Sequence, residues 1–172
     1  MEFTELINQR VSVRNFDRNK PVEKEILIKI LDAGRIAPSA ANLQPWKFIL
    51  VSSEEMLEKV RPCYHRQWFK EAPHILIVKG FKDEAWVRSY DGYNALETDL
   101  TIAMDHMILA AENEGVGTCW IAAFDPETLK NALSLKPNEY VFAITPLGYQ
   151  SDDYIRSNKK SRKTLNEIVE FI

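Results

Sequence analysis

The longest patterned run of hydrophobic positions lies between Asn94 and Glu114. There Leu96, Leu100, Ala103, Met107 and Ala110 recur at steps of four and three, the spacing of one helix face. Ala95, Ile102, Met104, Ile108 and Ala111 widen that face until most of the helix is apolar, which predicts a central, buried helix. Gly115 and Gly117 follow it and predict its end. The same spacing predicts a helix over Glu23 to Ile36, stopped by Pro38, and a short opening helix over Thr4 to Arg10. Apolar runs without alternation predict buried strands at Lys47 to Val51, Ile75 to Val78, Thr118 to Phe124 and Tyr140 to Leu147. Ser52 and Glu55 have capping-box spacing, which predicts a helix limited by Pro62. Asp125-Pro126 predicts an N-cap and first helical residue for a helix to about Leu133, and a last helix is expected over Thr164 to Phe171. No repeat or linker interrupts this order. One domain over residues 1–172, α+β or α/β, is expected.

Composition narrows the chemistry. Of 172 residues, 45% are hydrophobic and 27% charged, with a net charge of −3. That balance suits a globular chain and disfavours nucleic acid as a partner. No stretch of apolar residues is long enough to cross a membrane, and MEFTELINQR lacks the apolar core of a signal peptide, so a cytoplasmic location is expected. Only six residues are glycine. The single G-x-G, Gly115-Val116-Gly117, has Trp120 where a dinucleotide fingerprint needs its third glycine, and no glycine pair has Walker A spacing. A phosphorylated cofactor would have to be held without a glycine-rich cradle. His65, His74 and His106, with Cys63 and Cys119, show no metal-ligand spacing, and no nucleophile elbow occurs. Asp99 and Asp105 are six positions apart and do not form a carboxylate pair on one helix face.

Four segments carry candidate chemistry. In Arg10-Val11-Ser12-Val13-Arg14, an extended backbone would put Arg10, Ser12 and Arg14 on one side, two guanidiniums and a hydroxyl suited to a phosphate; from these residues alone a solvated surface turn fits better. In Pro38-Ser39-Ala40-Ala41-Asn42-Leu43-Gln44-Pro45-Trp46, small residues surround Ser39, Asn42 and Gln44, which suit the polar edge of a flat ligand or the capping of a rigid turn. Gly117 to Phe124 brings Trp120, Ile121, Ala122 and Ala123 after the central helix, as a ligand wall or simply as core strand. Arg156, Lys159, Lys160, Arg162 and Lys163 form a basic run, either a phosphate site or a solvated tail.

Together and in this order, the segments resemble the nitroreductase family of flavoproteins over nearly the whole chain. The matching motifs are R-x-S-x-R-x-F from Arg10 to Phe16, Pro38-Ser39 with Asn42, Gln44, Pro45 and Trp46, the helix end Gly-Val-Gly-Thr-Cys-Trp-Ile, and Lys160-x-Arg162. The resemblance implies an α+β fold, a mostly antiparallel sheet wrapped by helices, in an intertwined homodimer with FMN at the subunit interface. It implies that Arg10, Val11, Ser12 and Arg14 hold the FMN phosphate and ribityl chain, with Lys160 and Arg162 completing the phosphate site. Pro38, Ser39 and Ala40 would line the flavin from the other subunit, Asn42 and Gln44 would meet its polar edge, and Trp120 and Ile121 would pack on the ring. A main-chain N–H of Ala122 or Ala123 would reach N5; many relatives have Glu-Gly there, and a backbone donor survives the change. The implied activity is ping-pong hydride transfer from NAD(P)H, a transient substrate, through flavin N5 to a nitroaromatic, quinone or similar conjugated acceptor. A flavoenzyme with a protein electron donor, and an FMN-binding or redox-sensing module without turnover, are the alternatives. Tyr64, His65, Trp68 and Phe69 are expected to shape the acceptor pocket or the core.

Overall fold

The apolar run at Ile75 to Val78 has no alternation because both faces of its strand are covered. The computed structural model describes residues 1–155 and 160–172. In it β2 (His74–Phe81) lies inside a four-stranded sheet of order β1-β2-β4-β3, with β1 at Trp46–Val51, β3 at Gly117–Thr118 and β4 at Glu139–Gly148. All three pairings are antiparallel, running from Trp46 opposite Gly80 to Val51 opposite Ile75 in the first, and through a bulge at Val78/Lys79 in the second. Successive side chains point to opposite faces. Leu76 and Val78 therefore join Ala143 and Leu147 on one face, while Ile75 and Ile77 join Ile144 and Val51 on the other.

The first face is covered by α2 (Lys24–Arg35) and α5 (Leu96–Asn113). Helix α5 is central as predicted, burying Leu96, Leu100, Ala103, Met104, Met107, Ile108 and Ala111. Gly34 lets α2 lie close against it, since a Cβ there would sit 2.7 Å from Met107 Sδ. The helix ends as the glycine suggested. Gly115 adopts φ +75°, its N–H donates to Glu112 O (3.0 Å), and the Val116 N–H donates to Ala111 O (2.8 Å). This is the Schellman arrangement, which needs a residue tolerant of positive φ. The second face carries α3 (Glu54–Val60) and α6 (Pro126–Leu133), with the short α4 (Gln67–Lys70) beside them. The Asp125 carboxylate caps α6 by accepting from the N–H groups of Glu127 and Thr128. Helix α1 (Phe3–Gln9) packs against α5 near the chain start, and α7 (Leu165–Ile168) lies near its end.

The α+β outcome matches the family expectation, and three local expectations are corrected. Helix α3 starts after Ser53, whose side chain makes no cap hydrogen bond, and there is no capping box; the Ser52 hydroxyl bonds instead to His74 Nδ1 (2.8 Å). The strand expected over Thr118 to Phe124 stops at Thr118, and beyond it only Ile121 forms a bridge, to Ile144. The helix expected over Thr164 to Phe171 is reduced to α7, which does carry a capping box, from Thr164 to Glu167.

His74 gives the fold a pH dependence. It is buried, Nε2 accepts the Val22 N–H (3.1 Å), and Nδ1 with its proton faces Ser52 Oγ. Burial lowers its pKa, so the folded protein favours the neutral ring. Stability from this group is complete above the unfolded value of about 6.5 and is lost as pH falls below it toward the depressed folded value. Thermal melts of the wild type should drop between pH 7 and 5. His74→Gln should be less stable at pH 7.5 and show a flatter profile; an equally steep one would assign the loss elsewhere.

Candidate functional site

The segment Arg10 to Arg14 leaves α1 in extended form and lies along the sheet edge. Ser12 forms a parallel bridge with Thr118, and the Val13 N–H donates to Thr118 O (2.8 Å). Alternation works as expected. Val13 is fully buried against Phe16 and Ala72, while Arg10, Ser12 and Arg14 gather around the buried Cys119 thiol. Burial pushes that thiol's pKa up; the charges of Arg14 and Arg10 and hydrogen bonds from Ser12 and Arg14 oppose the rise. Cys119 thus remains a protonated thiol among cations, unsuited to be a nucleophile. Among the described residues neither Arg10 nor Arg14 has a carboxylate within ion-pair distance. Two guanidiniums held together without a counter-ion form a ready anion site.

The chain returns to this place after β4. The Asp17 N–H donates to Tyr149 O (2.9 Å), and the Ser151 N–H donates to Asn15 Oδ1 (3.3 Å). Farther on, Lys160 Nζ donates to the carbonyls of Ile7 (3.0 Å) and Asn8 at the end of α1, which places its ammonium just before Arg10. Arg162 is exposed, and its Nη1 donates to the neighbouring Ser161 O (2.7 Å). Arg156 and Lys159 lie outside the described residues.

Beyond Thr118 the chain runs beside β4. Trp120 is half-buried, edge-on to Phe142 with ring centroids 6.3 Å apart. Ile121 is held by paired 2.9 Å bonds to Ile144, and its side chain is buried in the core. Ala122 and Ala123 are exposed, and among the described residues their N–H groups have no acceptor. They are small-walled, unpaired main-chain donors.

The loop from Pro38 to Gln44 is a 3-10 turn over Ala40–Asn42, and its polar groups brace it from within. Ser39 Oγ accepts from the Gln44 N–H (2.9 Å), and Gln44 Nε2 donates to Asn42 Oδ1 (3.2 Å). Ala41, Asn42 and Gln44 have φ of 51°, 55° and 52°. For residues with a Cβ this costs on the order of 1–3 kcal/mol each, so the shape needs support. Part of it comes from Asp99 of α5, whose Oδ1 accepts the Ala40 N–H (2.9 Å). Sequence reasoning set Asp99 aside as not paired with Asp105; its signal was an acid three residues after Leu96 and four before Ala103, on the apolar face of the central helix. The aromatics expected at the acceptor pocket are mostly core: Phe69 is buried, and Tyr64 and Trp68 pack around it.

The loop and the other segments stand apart. Pro38 to Gln44 leads into β1 and Trp120 to Ala123 leaves β3, the two edges of the sheet, three strand spacings or about 14 Å apart. A separate cleft of about 690 Å³, lined in part by Lys82, Glu97, Asn138 and Tyr140, includes none of these residues. No helix of the described residues is long and apolar enough to cross a membrane, and among them no group of His, Cys, Asp or Glu could hold a metal ion.

Comparison with known proteins gives a consistent pattern. A model of the nitroreductase family matches residues 7–68 and 58–149. The chain is 35% identical to a nitroreductase family protein of Clostridium difficile 630, whose crystal structure superposes with a TM-score of 0.91 over 99% of this chain and 98% of that one. It is 25% identical to an FMN-dependent nitroreductase of Clostridium difficile R20291, with a TM-score of 0.79 over 98% of each chain. A Methanothermobacter thermautotrophicus protein, provisionally named NADH dehydrogenase/NAD(P)H nitroreductase, is 30% identical over 167 residues, 89% of this chain and 80% of its own.

Proposed function

The chain belongs to the nitroreductase family, and on that premise we propose that it is an FMN-dependent oxidoreductase taking hydride from NAD(P)H and reducing a nitroaromatic, quinone or similar conjugated acceptor in ping-pong order. The observation that carries this is the unpaired cation pair. Arg10 and Arg14 converge beside Ser12 with no carboxylate partner among the described residues, and Lys160 stands at the adjoining helix end. A dianionic phosphate fits this donor set. FMN, when bound, supplies hydride-accepting and hydride-donating chemistry.

The chain's own residues bind and orient. Arg10, Ser12, Arg14 and Lys160 would hold the phosphate, and Trp120 would wall the ring. An Ala122 or Ala123 N–H would donate at its N5 edge, where negative charge is stabilised on reduction. The small alanine side chains leave the ring face open, so donor and acceptor would occupy one place in turn. Ser39, Ala40, Asn42 and Gln44 would reach the flavin of a second copy. The sheet-edge separation supports this division between subunits, since one ring cannot touch both edges of the same chain. The reading includes a cytoplasmic location, which two free buried thiols, Cys63 and Cys119, suit.

The test is the visible spectrum of purified protein, then anaerobic addition of NADH or NADPH followed by menadione. Bound flavin should bleach with a nicotinamide donor and recover its colour with the quinone. Bound flavin that neither donor bleaches would overturn the donor assignment, and protein unable to take up FMN would overturn the whole reading.

A further inference from the structure

The loop that would cover a second copy's flavin is built from residues disposed to leave its shape. Ala41, Asn42 and Gln44 are left-handed, and most bonds holding them run within the loop. Among the described residues two bonds tie it to the rest of the fold: the Phe81 N–H to Pro45 O (3.1 Å), and the Ala40 N–H to Asp99 Oδ1 (2.9 Å). The second enters at the turn itself, from the first turns of the central helix. Asp99 is 1% exposed, and its other oxygen, Oδ2, is buried without a hydrogen-bond partner among the described residues. A group placed for stability alone would not be left half-satisfied, since an orphan buried carboxyl oxygen carries an uncompensated desolvation cost.

We propose that Asp99 is a positioning residue for flavin binding, anchoring the Ala40 N–H so that Ser39 to Gln44 keeps the left-handed shape that presents its polar groups to the ring. This rests on the flavin reading above. Burial raises the Asp99 pKa, and the hydrogen bond from the Ala40 N–H opposes the rise; the feature the loop uses is the acceptor oxygen at Oδ1. Function and stability are then set against each other at this position. Removing the carboxyl removes the orphan oxygen from the interior and also frees the loop.

The experiment compares Asp99→Ala and Asp99→Asn with wild type for thermal stability without cofactor, FMN affinity by fluorescence titration, and the visible spectrum of bound flavin. Asp99→Ala should melt at or above the wild-type temperature without cofactor, yet bind FMN about tenfold more weakly and with an altered flavin band, the loss expected for one hydrogen bond to a carboxyl group. Asp99→Asn keeps an acceptor at Oδ1 and should restore affinity to within about threefold, as a neutral acceptor suffices for a neutral amide donor. Wild-type affinity and spectrum in Asp99→Ala would overturn the proposal, as would an Asp99→Asn protein as weak as the alanine variant. A loss of stability parallel to the loss of FMN would reduce Asp99 to a structural residue and overturn it too. Wild-type protein that binds no FMN would instead defeat the underlying flavin reading.

Discussion

Replacing Arg10 and Arg14 together with alanine is expected to weaken FMN binding at least about a hundredfold, because each removes a charge-assisted contact of roughly 1.5–3 kcal/mol. The cofactor-free fold should hardly notice. Neither side chain has a carboxylate partner among the described residues, and two neighbouring guanidiniums repel each other in the absence of an anion. The melting temperature without cofactor should stay within a few degrees of wild type or rise, while stabilisation by added FMN disappears. Fluorescence titration and thermal melts with and without FMN measure both quantities. Affinity unchanged in the double variant would remove both residues from the phosphate site. Arg162→Ala is expected to cost less, since Arg162 is exposed and its Nη1 is engaged by its own neighbour's carbonyl.

Much of this site was legible because its parts are local. Alternation alone placed Arg10, Ser12 and Arg14 on one side, since Val13 had to be buried and successive residues point opposite ways. The Asp125 cap and the Gly115 helix end were legible because each is a backbone need met by one residue type. What escaped depends on distant partners. Ser52 looked like a cap, but His74, brought close by strand pairing, takes its hydroxyl. Thr118 to Phe124 looked like a strand, but after Thr118 it leaves the ladder and rejoins β4 only at Ile121. Its apolar character comes from burying Cys119 and Ile121, not from continuous pairing. Asp99 escaped because an acid on the apolar face of a helix says only that some donor awaits it. Which donor follows from the packing of the Ala40 turn over α5.

On the proposed two-copy site, deleting residues 165–172 is expected to leave a monomer of about 19 kDa that has lost much of its FMN affinity, an interface's share of binding energy being several kcal/mol. The 19.9 kDa chain exposes Leu165, Ile168, Phe171 and Ile172 over this short stretch, and Phe3 and Ile7 on α1. The same tail approaches α1, where Lys160 meets the Ile7 and Asn8 carbonyls. Large apolar side chains this exposed and this clustered mark a surface that another molecule covers. A second copy is the economical occupant, because a flavin held at Arg10, Arg14 and Ala122 lacks the Ser39 to Gln44 loop, which its own chain carries at the far edge of the sheet. A monomer would keep the phosphate contacts and lose the ring contacts. Its FMN should therefore bind weakly, fluoresce more than in the full-length protein, and fail to be bleached efficiently by NAD(P)H. Sedimentation velocity with flavin absorbance as the signal reads mass and occupancy together. A full-length protein that sediments at about 20 kDa while holding FMN would refute the shared site, because every contact would then have to come from one chain.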